Sequence, residues 1–293
     1  MSESAKPFDL SRVKLLPLSA RRNILQADRV IVDPDAEPAA LAEEAIPLLE
    51  QAAEDIQKAK QRDSAVMLVY GAHLVKNGAA RIVSRLVEQG WLTHLATNGA
   101  GSIHDWEFAW LGETGESVKL NVADRTFGTW DKTATNIHLA LMAGALDGLG
   151  YGQSMGRLIC DNGLSLPSAE TLRQSIATSP ADPLAPARAD LLQTILRLQL
   201  PTGQRPVVHR WQYASILASA FRHGVPATVH PGVGYDIISN HPIFNGAVIG
   251  RAAETDFKLF AGSVENLSDG VVLNVGSAIM GPQVFEKSLS CVN

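Results

Sequence analysis

The sequence predicts an α/β fold in which helices cover both faces of a mostly parallel β-sheet. Four short apolar runs have the composition of buried strands, namely Val66–Tyr70, Leu92–Thr97, Ala227–His230 and Val271–Val275. Segments with helical spacing of apolar residues lie between them, which is the pattern of βαβ units and makes the strands parallel. Each run ends in a loop that carries Gly with His, Asn, Asp or Ser. Parallel strands end at one edge of the sheet, so we expect these polar groups to lie together there.

The composition is that of an ordinary globular protein. With 293 residues, of which 46% are hydrophobic and 19% charged, the chain can bury a large core. No linker-like segment divides it, so we expect a single domain over residues 1–293, with residues 1–60 as an N-terminal extension and helix. A net charge of −5 and the lack of a Lys/Arg cluster argue against a nucleic-acid partner.

The two cysteines, Cys160 and Cys291, lie far apart and have no CxxC spacing. The pattern predicts neither a disulfide framework nor a zinc knuckle, and a cytoplasmic location is the default expectation. No run of 18 apolar residues predicts a membrane span, and we expect a soluble protein with no membrane partner.

The first sixty residues are expected to lie outside the sheet. Arg21 and Arg22 follow a short apolar run and can reach an anionic ligand or a neighbouring subunit, but a solvated surface pair is the simpler interpretation. The Ala/Glu-rich segment from Pro38 to Lys60 has apolar residues at helical spacing. Pro47 is expected to kink this helix or split it.

Further helices are predicted from apolar periodicity and from their end signals. They cover roughly Asn77–Glu88, His104–Leu111, Asp131 to Gly148, Arg188–Leu200, Pro206 to Gly224, Ala253–Asn266 and the segment from Pro282. The remaining segments are interpreted as loops: Gly112–Trp130, an irregular connection over Gly150–Gly163, and a lid-like loop over Thr178–Ala187. The last strand, Val271–Val275, is so apolar that we expect it in the sheet interior.

Two strand-end loops carry most of the candidate ligand-binding residues. The first contains Gly71, His73, Lys76 and Asn77, and the second contains Thr97, Asn98, Gly99, Ala100, Gly101, His104 and Asp105. Glycines let a pyrophosphate approach the backbone closely, and the free N–H groups of a helix N-terminus suit phosphate. An Asn-Gly sequence is also typical of an ordinary tight turn, so the pattern by itself leaves both interpretations open.

These two loops resemble the nucleotide-binding core of deoxyhypusine synthase. Residues 70–78, YGAHLVKNG, stand where that family has Tyr-Thr-Ser-Asn-x-x-Ser-Ser-Gly. Residues 97–105, TNGAGSIHD, stand where it has Thr-Thr-Ala-Gly-Gly-Val-Glu-Glu-Asp, and no gap separates the two motifs. Spacing is kept better than identity, so the chain resembles a divergent member of the superfamily. The resemblance implies a Rossmann-like fold, NAD as cofactor and a homo-oligomer whose sites lie between subunits.

The family reaction is the oxidation of an amine followed by transfer of an aminoalkyl group to a protein lysine. For this chain the resemblance implies an amine or another small molecule as substrate. The NAD-binding set that we predict comprises Gly71, Asn77, Thr97, Asn98, Gly99, Ala100, Gly101, Gly276 and Ser277. The candidate catalytic residues are His104, Asp236, Asp105 and His73.

The sequence departs from the family pattern at three places. His104 replaces the second acid of Glu-Glu-Asp, and Met280-Gly281-Pro282 replaces the histidine expected after the last glycine-rich strand. No counterpart of the segment with the family's catalytic lysine is found in these 293 residues. Asp236 lies in the region that matches the family's Thr-Asp-Gly loop, so it keeps an acidic role. The whole reaction is therefore not expected to carry over.

Two other functions stay open. Histidines and carboxylates at strand ends suit zinc, manganese or iron, and such a metal would activate water for hydrolysis; the candidate ligands are His73, His104, Asp105, His230, Asp236 and His241. The sequence contains no H-E-x-x-H motif, which would have favoured a metal-dependent hydrolase. A catalytically silent binding or scaffold homologue is the third interpretation.

His104 and Asp236 are the two residues most expected to flank the reactive part of a ligand. A helix N-terminus disfavours the protonated form of His104, and Asp236 can pair with a cationic substrate or act as a base. The aromatic residues Trp106, Phe108 and Trp110 crowd one helix. They are expected to form a subunit interface or to belong to the core of one subunit.

Overall fold

The computed structural model describes residues 6–293, and residues 1–5 of the predicted domain lie outside the described part. The strands are β1 (Leu25–Gln26), β2 (Val66–Tyr70), β3 (His94–Asn98), β4 (Glu113–Thr114), β5 (Gly163–Leu166), β6 (Gly203–Pro206), β7 (Ala227–His230) and β8 (Val271–Val275). The helices are α1 (Ala27–Val30), α2 (Ile46–Gln61), α3 (Ala72–Lys76), α4 (Ala80–Glu88), α5 (Gly99–Leu111), α6 (Val118–Ala123), α7 (Asp131–Ala145), α8 (Tyr151–Cys160), α9 (Ala169–Thr178), α10 (Ala185–Leu198), α11 (Ile216–Arg222), α12 (Gly246–Glu265) and α13 (Met280–Val292).

The central sheet has four strands in the order β7-β3-β2-β8, and all neighbours are parallel. The predicted bounds of β2, β7 and β8 are confirmed, whereas β3 begins two residues later than predicted and ends one later. The Rossmann-like α/β fold is therefore confirmed. The pairs β1–β4 and β5–β6 are short antiparallel additions that the sequence analysis did not predict.

Both faces of the sheet are covered because alternate strand residues point to opposite sides. Met67, Val69 and Ala96 pack with Phe260 of α12 in a small core that α13 also covers. On the other face, Val66, Leu68, Tyr70 and Leu95 belong to the main core, which contains residues of α4, α5, α7, α8 and α11. Burial of side chains of this size contributes roughly 1.5–3 kcal/mol each. The division of the protein into domains is not determined by this packing and stays a prediction.

The predicted interior position of β8 is wrong, because this strand forms one edge of the sheet. Val271 and Leu273 pack on the main core while Val272 packs on the small one. Two covered faces thus account for the apolar run Val271 to Leu273, even though only one side of the strand is hydrogen-bonded. Val275 at the end of the strand is 43% exposed.

Pro47 does not kink the helix that contains it. Helix α2 begins at Ile46, so Pro47 lies in its first turn, where a missing N–H group removes no helical hydrogen bond. The predicted helix from Asn77 is also interrupted. Gly78 has a φ of +82° and separates α3 from α4.

The predicted irregular connection over Gly150–Gly163 is wrong, because this segment contains helix α8. Its glycines allow close packing: a Cβ atom on Gly152 would lie 1.9 Å from the carbonyl oxygen of Ala227, and one on Gly156 would lie 2.6 Å from that of Leu217. Asp256 of α12 holds the start of this helix, since its Oδ2 accepts hydrogen bonds from Gly152 N–H at 3.0 Å and Val229 N–H at 2.7 Å.

Three other boundaries differ from the prediction. The expected loop Gly112–Trp130 contains β4 and α6, and the expected helix from Pro206 is replaced by β6, a loop and α11. The predicted lid-like loop over Thr178–Ala187 is a shorter connection in the structure, because α9 extends to Thr178 and α10 begins at Ala185. In the described range, residues 6–293, no helix combines the length and apolar character that crossing a bilayer requires.

Six fully or partly buried histidines make the free energy of unfolding depend on pH. Burial lowers the pKa of His94 to about 3, and that of the others to about 4, namely His104, His138, His209, His230 and His241. Because these groups bind protons near pH 6.5 in the unfolded chain, acidification from pH 6.5 to 4 favours unfolding. Burial raises the pKa of Asp105 and Asp256 to about 7. Acidification from pH 7 to 4 therefore favours the folded state through these two groups.

We expect the six imidazoles to outweigh the two carboxyl groups, so that Tm is lower at pH 5 than at pH 7. Calorimetric melting at constant ionic strength tests this. Scans between pH 7.5 and 8.5 serve as the control, because none of these groups titrates strongly there. A Tm that rises steadily from pH 7 to pH 5 would show that the two carboxyl groups dominate.

Candidate functional site

The second strand-end loop begins helix α5 directly after β3. Asn98 is the N-cap residue, and its side-chain oxygen accepts a hydrogen bond from Gly101 N–H at 2.8 Å. The Thr97 hydroxyl donates to the carbonyl oxygen of Tyr70 at 2.9 Å. A Cβ atom on Gly101 would lie 2.0 Å from Thr97 Oγ1, so glycine is needed here for packing within the chain.

Asp236 lies against the first residue of the same helix. A Cβ atom on Gly99 would lie 1.9 Å from Asp236 Oδ2, and this oxygen accepts a hydrogen bond from Gly232 N–H at 2.8 Å. The residue is 7% exposed, and burial raises the pKa of its carboxyl group. The carboxyl group thus occupies the positive end of α5, where an anion is favoured.

Glu107 is the most densely bonded carboxylate of the site. Oε1 accepts hydrogen bonds from Arg21 Nη1 and Thr133 Oγ1, both at 2.8 Å, and Oε2 accepts from Arg21 Nη2 at 2.8 Å and Thr114 Oγ1 at 2.5 Å. The side chains of Arg21 and Glu107 are each 1% exposed. Burial raises the pKa of Glu107, but the hydrogen bonds and charge of Arg21 outweigh burial and leave it below its usual value. Glu107 is therefore ionised at neutral pH.

The ionised Glu107 determines which nitrogen of His104 carries the proton. The Thr114 hydroxyl donates to Glu107, so its oxygen must accept from His104 Nδ1, which lies 2.7 Å away. His104 is then protonated at Nδ1, and Nε2 carries a lone pair. Burial of the ring lowers the pKa of His104 to about 4, so the imidazole is neutral near pH 7.

His104, Glu107 and Asp236 line one cavity, which we name the His104 cavity. Its volume is about 230 Å³, and Lys76, Glu116 and Tyr235 also line it. Glu116 is engaged on both oxygens, which accept from Gly128 N–H and from the amide of Asn121. Most of the remaining wall is apolar. The arrangement places a neutral imidazole and a carboxyl group on the wall of one small cavity.

Three residues of the site were not assigned to it from the sequence. Arg21 was interpreted as part of a solvated surface pair, but it is buried against Glu107, and only Arg22 is exposed. Glu107 lies three residues after His104 on the same helix, so helical spacing alone could have suggested it. Thr114 lies in β4, after the end of α5, and no periodicity in the sequence predicts its hydrogen bonds with His104 and Glu107.

The other predicted catalytic residues lie elsewhere. Asp105 points away from the cavity and accepts hydrogen bonds from Ser215 Oγ and from Ile216 N–H, so it holds the start of α11. His73 is exposed on α3 and does not line the His104 cavity. Of the four candidates, the structure brings His104 and Asp236 together.

The predicted NAD-binding residues fall into two groups on either side of β2. Thr97 and Asn98 end β3, Gly99 to Gly101 begin α5, and of these five residues Ala100 lines the cavity. Gly276 and Ser277 follow β8, next to Gly71, on which a Cβ atom would lie 2.1 Å from the carbonyl oxygen of Gly276. Ser277 is buried and its hydroxyl oxygen accepts from Gly281 N–H. Asn77 is exposed at the C-terminal end of α3, two residues before the N-cap of α4, and it does not line the His104 cavity.

The glycines of these loops do not provide an open cradle for phosphate. The space beside Gly99 is filled by Asp236, that beside Gly101 by Thr97, and that beside Gly71 by Gly276. A carboxylate at Gly99 would also repel a phosphate at the same helix end. The residues around Gly99–Gly101 therefore do not fit the phosphates of NAD in this conformation.

The six candidate metal ligands are not gathered into one site. Between residues 6 and 293, no group of three or more His, Cys, Asp or Glu side chains is placed to hold a metal ion. His230 bonds to Thr228, and His241 accepts from Ile243 N–H and contacts Thr135. A ligand set for the metal-dependent hydrolase is thus not found in this part of the chain.

The aromatic residues of α5 are explained by packing within one chain. Trp106 and Phe108 are 0% and 1% exposed, and Trp110 stacks on Trp106 with ring centroids 5.0 Å apart. They therefore do not require a partner subunit, and the homo-oligomer stays a prediction.

No family model matches the sequence, and no curated protein matches it significantly. Among solved structures, ArgZ, an arginine dihydrolase from the ornithine–ammonia cycle in cyanobacteria, aligns with 83% of this chain at 11% identity and a TM-score of 0.43. The ternary complex of AgrE with ornithine and NAD⁺ aligns with 85% at 14% identity and a TM-score of 0.41. A conserved protein from Methanococcus maripaludis S2, described as LOR/SDH, aligns with 89% at 11% identity and a TM-score of 0.34.

This chain spans 26% of the length of ArgZ, 27% of that of AgrE and 74% of that of the third protein. All three TM-scores lie below 0.5, and nothing about this chain is inferred from these alignments. The resemblance to deoxyhypusine synthase is not tested by these alignments and stays a prediction.

The Arg21–Glu107 pair gives a direct stability prediction. Arg21→Met leaves the Glu107 carboxylate buried without its cation, and we expect a loss of about 3–5 kcal/mol in the free energy of unfolding. Replacing both partners, as in Arg21→Met/Glu107→Leu, removes the uncompensated charge and should be less destabilising. Urea denaturation of both variants measures the difference.

Arg22→Met is the matched control for these variants, since Arg22 is the exposed neighbour, and it should change stability by less than about 0.5 kcal/mol. If the double variant is destabilised as much as Arg21→Met, the loss does not come from an unpaired buried charge.

Proposed function

We propose that this protein is an enzyme that binds a small amine-bearing molecule in the His104 cavity and uses His104 to accept a proton. The observation that carries this proposal is the hydrogen-bonded series Arg21, Glu107, Thr114 and His104, which ends in a cavity also lined by Asp236. A neutral imidazole with a fixed tautomer is the form of histidine that serves as a general base.

His104 Nε2 is the basic atom in this mechanism. Nδ1–H is held by Thr114, so the lone pair of Nε2 is the one available to a substrate. When Nε2 takes a proton, the new positive charge lies one hydroxyl group away from the Glu107 carboxylate, whose charge raises the pKa of His104 against the effect of burial. Thr114 and Glu107 act as positioning residues, because they hold the ring and stabilise its cation.

Asp236 supplies the anionic partner for the substrate. Arg21 is neutralised by Glu107 and both oxygens of Glu116 accept hydrogen bonds from the chain, so Asp236 is the carboxyl group free to pair with a substrate cation. A protonated amine beside Asp236 would favour the ionised carboxylate and offset the effect of burial. Lys76 on the cavity wall disfavours a second positive charge on the substrate near it.

The proposal includes NAD only as a ligand of this edge of the sheet and gives it no contact with a named residue. The Rossmann-like sheet and the neighbouring ends of β2, β3 and β8 support a dinucleotide at this edge. The filled spaces beside Gly71, Gly99 and Gly101 speak against phosphates at those residues. We therefore assign no step to NAD, and the family's aminoalkyl transfer stays a prediction that rests on the resemblance alone.

The tautomer of His104 can be measured directly. We expect ¹⁵N NMR of the imidazoles to show His104 protonated at Nδ1 and unprotonated at Nε2 at pH 7, with a pKa near 4. Thr114→Val removes the acceptor for Nδ1–H and should abolish this tautomer preference. Thr126→Val is the control, because Thr126 does not itself line the cavity and its hydroxyl donates to the carbonyl oxygen of Asn121. A doubly protonated His104 at pH 7 in the wild type would contradict the proposal.

Replacing Asp236 should change the binding of an amine and of NAD in opposite directions. Asp236→Asn removes a charge-assisted hydrogen bond, so we expect it to weaken the binding of the probe butylamine, a monocation, at least tenfold, by roughly 1.5–3 kcal/mol. The same change removes the carboxylate from the helix end and should strengthen NAD binding. Titration calorimetry with each ligand measures both effects.

Asp124→Asn, a change of the same kind at an exposed position, should leave both affinities unaltered. Equal binding of butylamine to the wild type and to Asp236→Asn would overturn the assignment of Asp236. Weaker NAD binding by that variant would show that the carboxylate supports the dinucleotide.

A further inference from the structure

We infer that a second cavity of this protein binds a nucleoside monophosphate. This cavity lies between the C-terminal end of α5, the first turns of α7 and the segment that follows β6, and its volume is about 660 Å³. It shares no lining residue with the His104 cavity. Volumes of this size lie within the range of about 300–1,000 Å³ that is usual for small-molecule sites.

The charge on the wall of the second cavity is entirely positive. Lys132, Arg205 and Arg210 line it, and no acidic residue does. In residues 6–293, no ion pair engages Arg205 or Arg210, and Lys132 pairs only with its chain neighbour Asp131. Guanidinium groups without a carboxylate partner are well suited to a phosphate, which they can bind through two parallel N–H donors.

Two buried polar atoms at the same cavity lack a partner. Asn136 is 3% exposed, and its side-chain oxygen accepts no hydrogen bond. The Nε atom of Arg205 is buried and donates none. Unsatisfied buried groups are uncommon in folded proteins, and a ligand in the cavity would complete these two. The Nε–H group of Arg205 needs an acceptor, which a phosphate provides, and the side-chain oxygen of Asn136 needs an N–H donor.

Two tryptophans complete the wall. Trp110 and Trp211 both line the cavity and are half-buried. Trp110 is fixed by stacking on the fully buried Trp106, with an angle of 26° between the rings. Indole surfaces beside a cationic groove are the usual platform for a nucleobase.

A nucleoside monophosphate meets all of these requirements at once. Its phosphate suits Lys132, Arg205 and Arg210, its base suits the tryptophans, and an amino group on the base can donate to the Asn136 oxygen. Adenine carries such an amino group. We therefore use adenosine monophosphate (AMP) as the probe.

Titration of the full chain with AMP, followed by calorimetry and tryptophan fluorescence, tests the inference. We expect saturable binding that weakens with added salt, and a loss of affinity of at least about tenfold in Arg205→Gln and in Arg210→Gln. Asn136→Leu should weaken AMP binding while leaving the binding of inorganic phosphate unchanged. Arg173→Gln, on the exposed face of α9, should bind AMP like the wild type.

The Asp236→Asn variant of the His104 cavity tests whether AMP binds in the second cavity. Asp236→Asn should leave AMP affinity unchanged, so failure of the His104 proposal and failure of this one are distinguishable. An absence of AMP binding, or equal affinity in the wild type and in both arginine variants, would overturn the site. Inorganic phosphate binding as tightly as AMP would overturn the assignment of a nucleoside.

Discussion

The buried ion pair between Arg21 and Glu107 is the interaction on which the candidate site depends. Neither side chain reaches solvent, so each charge is tolerable only because the other is present. The pair joins the N-terminal segment to α5, while Thr114 and Thr133 bring in β4 and α7. Four separate parts of the chain thus converge on one carboxylate. The tautomer of His104, and with it the basic atom in the cavity, follows from that convergence.

The sheet was predictable from the sequence because burial on two faces leaves strands that are apolar at nearly every position. Val66–Tyr70 and Val271–Val275 were located to the residue for this reason, although the second run could not reveal whether its strand was central or at an edge. Helix α8 was missed, and its segment was interpreted as an irregular connection; Gly152 and Gly156 within it have low helix propensity. In the fold they are contact residues, and the neighbouring backbone that requires them is distant in sequence.

The candidate site was predictable in part for the same physical reasons. His104 and Asp236 could be placed together because both follow strands that end at one edge. Arg21 could not, since a pairing across 86 residues leaves no local periodicity. The glycines at the strand ends were predicted to bind phosphate, although their sequence pattern fits two kinds of turn. A turn that admits a phosphate and a turn that admits a neighbouring side chain have the same sequence, and Gly99 beside Asp236 is of the second kind.

The position of β8 in the sheet has a consequence for how the chain folds. Strand β2 pairs with β3, which follows it after one short crossover, and also with β8, where Val66 lies opposite Val271. During synthesis, one side of β2 must therefore stay unpaired until most of the chain has left the ribosome. Long-range parallel pairing is slow, and an open apolar strand edge invites intermolecular association while it lasts. The nascent chain is thus exposed to aggregation longest at its most apolar strand, and binding by a chaperone during that interval would protect it.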